Sequence, residues 1–128
     1  CTSSQNFKSI LNDMSSGVFN GRTVVQEDSQ KTNSTQSNKN LLLSDKALMN
    51  SNPQLEIYAD DVKCAHGSTT GALDKEALFY MQSRGINKED ASALLIKGFA
   101  SELINEVQHD ETKKYLLNKF DHWLRYYI

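Results

Sequence analysis

A thiol and an imidazole two residues apart, Cys64 and His66, are the groups in this chain best suited to chemistry. They end the run Leu55-Glu56-Ile57-Tyr58-Ala59-Asp60-Asp61-Val62-Lys63-Cys64-Ala65-His66-Gly67, whose apolar alternation reads as a strand. A strand sends positions i and i+2 to one face, so both side chains can be directed at one metal or sulfur atom. Two ligands fall short of the four of a closed site. The spacing therefore leaves two readings open: part of a shared metal site, or a buried cysteine acting as a small hydrophobe beside a hydrogen-bonded histidine. Lys63, a cation that could favour the thiolate, falls on the opposite strand face. Asp60 and Asp61 read as turn formers, and His109 and His122 as surface or capping residues on helices.

The elements that must position this pair follow from the apolar pattern. Short apolar runs at Phe7 to Leu11, Val18-Phe19 with Thr23 to Val25, Leu41 to Leu43, Ala47 to Met49 and Leu55 to Val62 are separated by Asn, Ser, Gly and Asp, the signature of short strands. The spacings from Val24 to Leu42 and from Leu42 to Ile57 suggest single coils of a solenoid, so a parallel β-helix is expected over residues 1–72, with a β-sandwich as the alternative. Glu27 to Asn40 has no apolar residue and reads either as a flexible loop or as amide and hydroxyl ladders in a stacked coil.

Beyond this the spacing turns helical, placing Cys64 and His66 at a strand-to-helix boundary, and residues 73–128 are read as a helical region. Asp74 caps a helix through about Ser83, which Gly85 ends in a left-handed conformation. Asn87 caps a second helix, with Glu89 and Asp90 in its first turn and Ala91, Leu94, Leu95, Phe99, Leu103 and Val107 as its buried face. Gly98 inside it is expected to admit a close neighbour. A third helix runs from about Glu111 to the chain end, with Tyr115, Leu116, Phe120, Trp123, Leu124 and Tyr127 apolar. Three short helices bury few large groups, so some of Phe99, Ile104, Leu117, Trp123, Tyr126 and Tyr127 are expected to pack on the β region or meet a partner.

Composition narrows the function classes. At 128 residues with 38 % hydrophobic content the length suits one modest core. A net charge of −2 gives no basic face for nucleic acid. No run approaches the ~20 apolar residues of a membrane span, and the expected location is cytoplasmic. Two cysteines do not make a disulfide framework. A start at Cys1 inside a polar pattern suggests a piece of a longer protein.

The strings Tyr58-Ala59-Asp60-Asp61-Val62-Lys63-Cys64-Ala65-His66-Gly67 and Leu78-Phe79-Tyr80-Met81-Gln82-Ser83-Arg84-Gly85-Ile86 closely resemble the C-terminal part of SufD-like members of the SufB/SufD family, from the Suf iron–sulfur cluster assembly system. Gly17-Val18-Phe19-Asn20-Gly21-Arg22, Gln30-Lys31-Thr32-Asn33 and Gln36-Ser37-Asn38 extend the likeness upstream. The resemblance implies a right-handed parallel β-helix, partial here, followed by about three helices. It implies pairing with a SufB-like paralogue through the β-helix and docking of a SufC-like ATPase on the helical region, for which Phe99, Ile104, Leu117 and Trp123 are the candidates. By the same resemblance His66 matches a histidine at the SufB–SufD interface and Cys64 the nearby family cysteine, at a site that handles an iron–sulfur cluster transiently and shares it with SufB.

Two departures favour the SufD side. The SufB-type paralogue carries an essential cysteine in the coil that reads Thr35-Gln36-Ser37 here, and Glu-His-Glu where this chain has Ala65-His66-Gly67. No glycine-rich phosphate loop is present, so ATP chemistry would belong to the partner and the chain itself is expected not to be an enzyme. With SufB missing, a homodimer is the alternative assembly, and an exposed first coil favours self-association. The rival functions are a structural interaction module without a metal role and a β-helix enzyme acting on polysaccharide, whose carboxylates would have to come from Glu56, Asp60 and Asp61.

Overall fold

The structure, a computed structural model, describes residues 1–127 and divides into two compact units, Cys1–Ala72 and Leu73–Ile128 by their contacts. In the first, five ten-residue strands follow one another: β1 (Thr2–Leu11), β2 (Ser16–Val25), β3 (Asn33–Leu42), β4 (Leu48–Ile57) and β5 (Lys63–Ala72). Odd strands form one parallel sheet in the order β1-β3-β5, and β2 pairs with β4 in a second, also parallel. Alternation between two sheets with parallel stacking inside each is a partial parallel β-helix.

The register gives the coil length. Thr2 lies beside Asn33, Asn33 beside Lys63 and Ser16 beside Leu48, so one coil takes 30–32 residues and contains two strands. The shorter spacings read from Val24, Leu42 and Ile57 are therefore steps from one strand to the next, not coils. Each sheet contributes one apolar mark per coil, which halves the apparent period.

Turns stack as the strands do. The Lys31 N–H donates to the Asp61 carbonyl of the next coil at 2.6 Å, and the Tyr58 N–H to Val25 at 2.8 Å. Asp13 and Lys31 take positive φ at 52° and 61° where the chain turns into its next strand, the former a residue type that tolerates this conformation well. Leu11, Val25, Leu41, Ala47 and Ala59 supply the buried apolar groups at the coil corners.

Glu27 to Asn40 divides between the two readings left open for it. Its first part is the turn into β3, while Asn33 to Asn40 belongs to β3, the central strand of its sheet, with Ser34, Gln36, Asn38 and Asn40 buried on one face. Low hydrophobicity suggests a loop, but pairing on both edges satisfies the backbone and inward amides satisfy much of one another.

The second unit contains α1 (Lys75–Ser83), α2 (Lys88–Ile104) and α3 (Asp110–Tyr127). The Asp74 carboxylate accepts from the N–H groups of Glu76 and Ala77, and the Asn87 side chain accepts from Asp90, so both expected caps are in place. Gly85 has φ +91° just past α1, where a residue with a β-carbon would be strained. The α2 face differs from the expected one. Ala91 and Ile96 are its buried residues, whereas Leu94 is 52 % exposed, because α2 packs against both α1 and α3 and uses two sides. Gly98 has no neighbour close enough to meet an added β-carbon, so it is not a close-packing point. Lys97 on α2 pairs with Asp121 on α3 at 2.7 Å. Tyr127 ends α3, with its side chain outside the described part, as is Ile128. Among the described residues no helix is long and apolar enough to cross a membrane.

Candidate functional site on the last coil

β4 ends at Ile57 and residues 58–62 form a turn, so Cys64 and His66 open a new strand rather than close the one through Leu55. Both lie near the start of β5, eleven and nine residues before helical structure begins at Lys75, and not at the strand-to-helix boundary. The apolar and polar residues of 55–67 alternate smoothly through the turn, and Asp60 and Asp61 were the signal that a bend interrupts them.

The face shared by the pair follows from register. Cys64 stands beside Ser34 and His66 beside Gln36, and both of these β3 residues point into the coil. Inward positions of β5 are thus Cys64, His66, Ser68 and Thr70. β5 is the outer strand of its sheet, so Cys64 is partly buried and His66 exposed although both continue interior rows. Their α-carbons are separated by about 6.6 Å, the two-residue rise of a strand, close enough for one metal or sulfur atom between the side-chain tips. Both cysteines are free thiols.

Among the described residues no group of three or more His, Cys, Asp and Glu side chains converges on one point. Among the described residues the pair therefore supplies at most two ligands, too few to close a site. The unpaired outer edge of β5 is a place where another chain can approach. A crevice of about 350 Å³ lined by Lys31, Thr32, Asn33, Asp61, Val62 and Lys63 adjoins the start of the strand.

Below the pair lies a polar interior that the pattern of apolar runs did not reveal. The Ser68 hydroxyl donates to Ser51 at 2.7 Å, and Ser51 donates to Asn38 Oδ1 at 2.6 Å. Asn40 Nδ2 donates to the same oxygen at 2.7 Å and to Thr70 Oγ1 at 3.2 Å. One rung away, Gln36 Nε2 donates to Gln5 Oε1 at 3.0 Å and to Thr23 Oγ1 at 3.1 Å. Alternating Ser34, Gln36, Asn38 and Asn40 were the available signal, since period-two amides in an otherwise polar run indicate an inward ladder.

Gly21 accommodates this ladder. A β-carbon there would lie 2.8 Å from Gln36 Oε1 and 2.7 Å from the Phe19 ring, which in turn packs on Phe7 at 4.9 Å between centroids. Gly21→Ala is expected to destabilise the β unit by about 1 to 3 kcal/mol through overpacking, read as a lower urea midpoint by far-UV circular dichroism. An unchanged midpoint would mean that the Gln36 amide is free to move aside.

The carboxylates proposed for a polysaccharide site do not share a strand face. Glu56 is held by Arg22 at 2.8 Å, and Asp60 lies past the end of β4 in the turn. Hydrogen bonding from Arg22 lowers the Glu56 carboxyl below its ordinary range, and Glu56 raises the guanidinium in return. A carboxyl depressed in the folded state stabilises the fold above its unfolded value and loses that contribution as pH falls through the folded value. The acid limb of a stability profile should therefore flatten slightly in Glu56→Gln; the pair is solvent-exposed, so the change should shrink further in high salt.

In the helical unit, Phe99, Ile104, Leu117 and Trp123 are all partly buried, and Trp123 stacks on Phe120 at 5.5 Å between centroids. More open apolar groups sit beside them in the chain: Tyr115 and Tyr126 on α3 and Phe79 on α1 are exposed. Tyr126, one of the groups expected to meet a partner, is thus open, whereas helix packing buries part of Phe99, Ile104, Leu117 and Trp123.

Residues 1–99 match the family model described as SUF system FeS cluster assembly, SufBD core domain. The chain belongs to that family. It is 44 % identical over 117 residues to the iron–sulfur cluster assembly protein SufD of Escherichia coli, covering 91 % of this chain and 28 % of that protein. SufD of Bacillus subtilis is 38 % identical over 109 residues, 85 % of this chain and 25 % of the relative. A SufBD family protein of Synechocystis is 44 % identical over 100 residues, covering 78 % and 22 %. The chain is thus SufD-like and spans about a quarter of the length of these curated relatives. The parallel coils agree with the β-helix expected from the resemblance.

Proposed function

We propose that this SufD-like chain is a non-enzymatic subunit of a cytoplasmic iron–sulfur assembly complex, in which β5 faces a SufB-like paralogue and Cys64 and His66 handle the nascent cluster at that junction. The observation that carries the reading is the position of the pair: two soft ligands on the interior face of the outermost strand, with too few neighbours to close a site alone. The cluster is cargo, shared across the interface, with the remaining ligands supplied by the partner. A neutral imidazole is a competent iron ligand, and the thiol becomes one on deprotonation by the bound metal.

The helical unit is the proposed dock for a SufC-like ATPase, with Phe99, Ile104, Leu117 and Trp123 in or beneath the contact. Aromatic and branched apolar groups of this kind anchor partner helices. Co-expression of the full-length protein with SufB-like and SufC-like partners should yield one complex on size exclusion. Truncation after Ala72 should lose the ATPase and keep the paralogue; an ATPase retained after truncation would move the dock to the β unit. A homodimer without SufB is the other assembly this surface supports.

A further inference from the structure

Among the described residues, three buried polar atoms inside the coils have no protein partner: Gln36 Oε1, Asn38 Nδ2 and Asn40 Oδ1. All three residues are at least 96 % buried and occupy alternate positions on the inward face of β3. Rotating an amide does not satisfy them. Turning Asn38 would set its Nδ2 against the donating Asn40 Nδ2, now 2.7 Å from Asn38 Oδ1. Turning Asn40 would set an oxygen against the Thr69 carbonyl at 3.3 Å, and turning Gln36 would set one against Gln5 Oε1 at 3.0 Å. The orientations are fixed by acceptors that are already engaged.

A buried donor flanked by buried acceptors on the same face is a site for solvent. Water both accepts and donates, with partners about 2.9 Å away, so it can serve a buried donor and a buried acceptor alike. We propose that the coil holds structural water that accepts from Asn38 Nδ2 and donates to Gln36 Oε1 and Asn40 Oδ1. Buried waters occur where two to four polar partners converge, and here Ser51 and Ser68 link the same amide to the exposed rung of β5 through hydroxyls. The β-helix interior is then wet along β3 and dry at the leucine corners. This inference does not depend on the cluster-handling role of the last coil.

A crystal structure of the full-length wild-type protein, at a resolution that shows ordered solvent, tests it directly. Water-sized density within hydrogen-bonding distance of Asn38 Nδ2 and of Gln36 Oε1, from one molecule or two, is expected. Empty space with the two amides bonded to one another, or density too heavy for water, would overturn the assignment. Magnetic relaxation dispersion of water in solution gives a second reading: Asn38→Leu should lose the contribution of at least one long-lived water, and an unchanged amplitude in the folded variant would contradict the proposal. If Asn38→Leu does not fold, the wild-type density decides alone.

Discussion

Replacing Ile96 by alanine is expected to destabilise the helical unit by about 3 kcal/mol. Ile96 is 1 % exposed and is the largest fully buried apolar side chain among the described residues. Truncation to alanine removes several methylene equivalents and leaves a void between helices that are fixed by their own caps and by the Lys97–Asp121 pair, so collapse around it is incomplete. Large-to-small changes at such sites cost about 2 to 5 kcal/mol. Leu94, two residues earlier and half exposed, is the control, for which about 0.5 kcal/mol is expected. The chain has one tryptophan, Trp123 on α3, so urea unfolding followed by its fluorescence reports this unit. Equal losses for Ile96→Ala and Leu94→Ala would mean that the helices are not packed as described.

Asn38→Ala is expected to cost the β unit about 3 kcal/mol, although it removes no apolar packing. Its Oδ1 accepts from Asn40 Nδ2 and Ser51 Oγ, while the Ser68 hydroxyl, 3.4 Å away, gives its proton to Ser51. Alanine leaves those donors inside the coil without their common acceptor, and each buried orphan costs about 1 to 3 kcal/mol. Asn40 keeps Thr70 as an alternative, which limits its share. Ser51→Ala removes one donor to that oxygen, and the exposed Ser68 hydroxyl that donated to Ser51 can turn to water, so it should cost less than half as much. The urea midpoint of the far-UV signal measures both; a Ser51→Ala loss as large as that of Asn38→Ala would show that the hydroxyl rather than the amide is the centre of the network.

Much of the fold was legible in sequence because local and tertiary signals agreed. Asp74, Asn87 and Gly85 combine cap chemistry with a change of period, and the helices start and stop where those residues require. The β3 strand was only half legible: its residues carry no apolar period, and it is a strand because β1 and β5 pair with it on both sides, a fact contained in residues 31 positions before and 30 after. The buried face of α2 departs from its apolar stripe for a related reason. Periodicity identifies an apolar stripe but not how many neighbours share it, and two neighbours moved the buried position to Ile96. At the candidate site, Cys64 and His66 stand out by type and spacing, while the amide ladder, one of the two readings open for Glu27 to Asn40, is placed beneath them only by the register that sets Gln36 beside His66.

The central claim, that Cys64 and His66 handle a cluster shared with a second subunit, is tested most directly by cluster yield. The full-length protein, wild type or carrying His66→Ala or Cys64→Ala, would be co-expressed with its SufB-like and SufC-like partners, and the purified complex read by visible absorption. His66→Ala is expected to lower cluster absorbance by about tenfold or more, the scale on which coordination-sphere changes act, while the complex still forms; an intact complex with unchanged cluster yield in both variants would overturn the role and leave the last coil a purely structural interface.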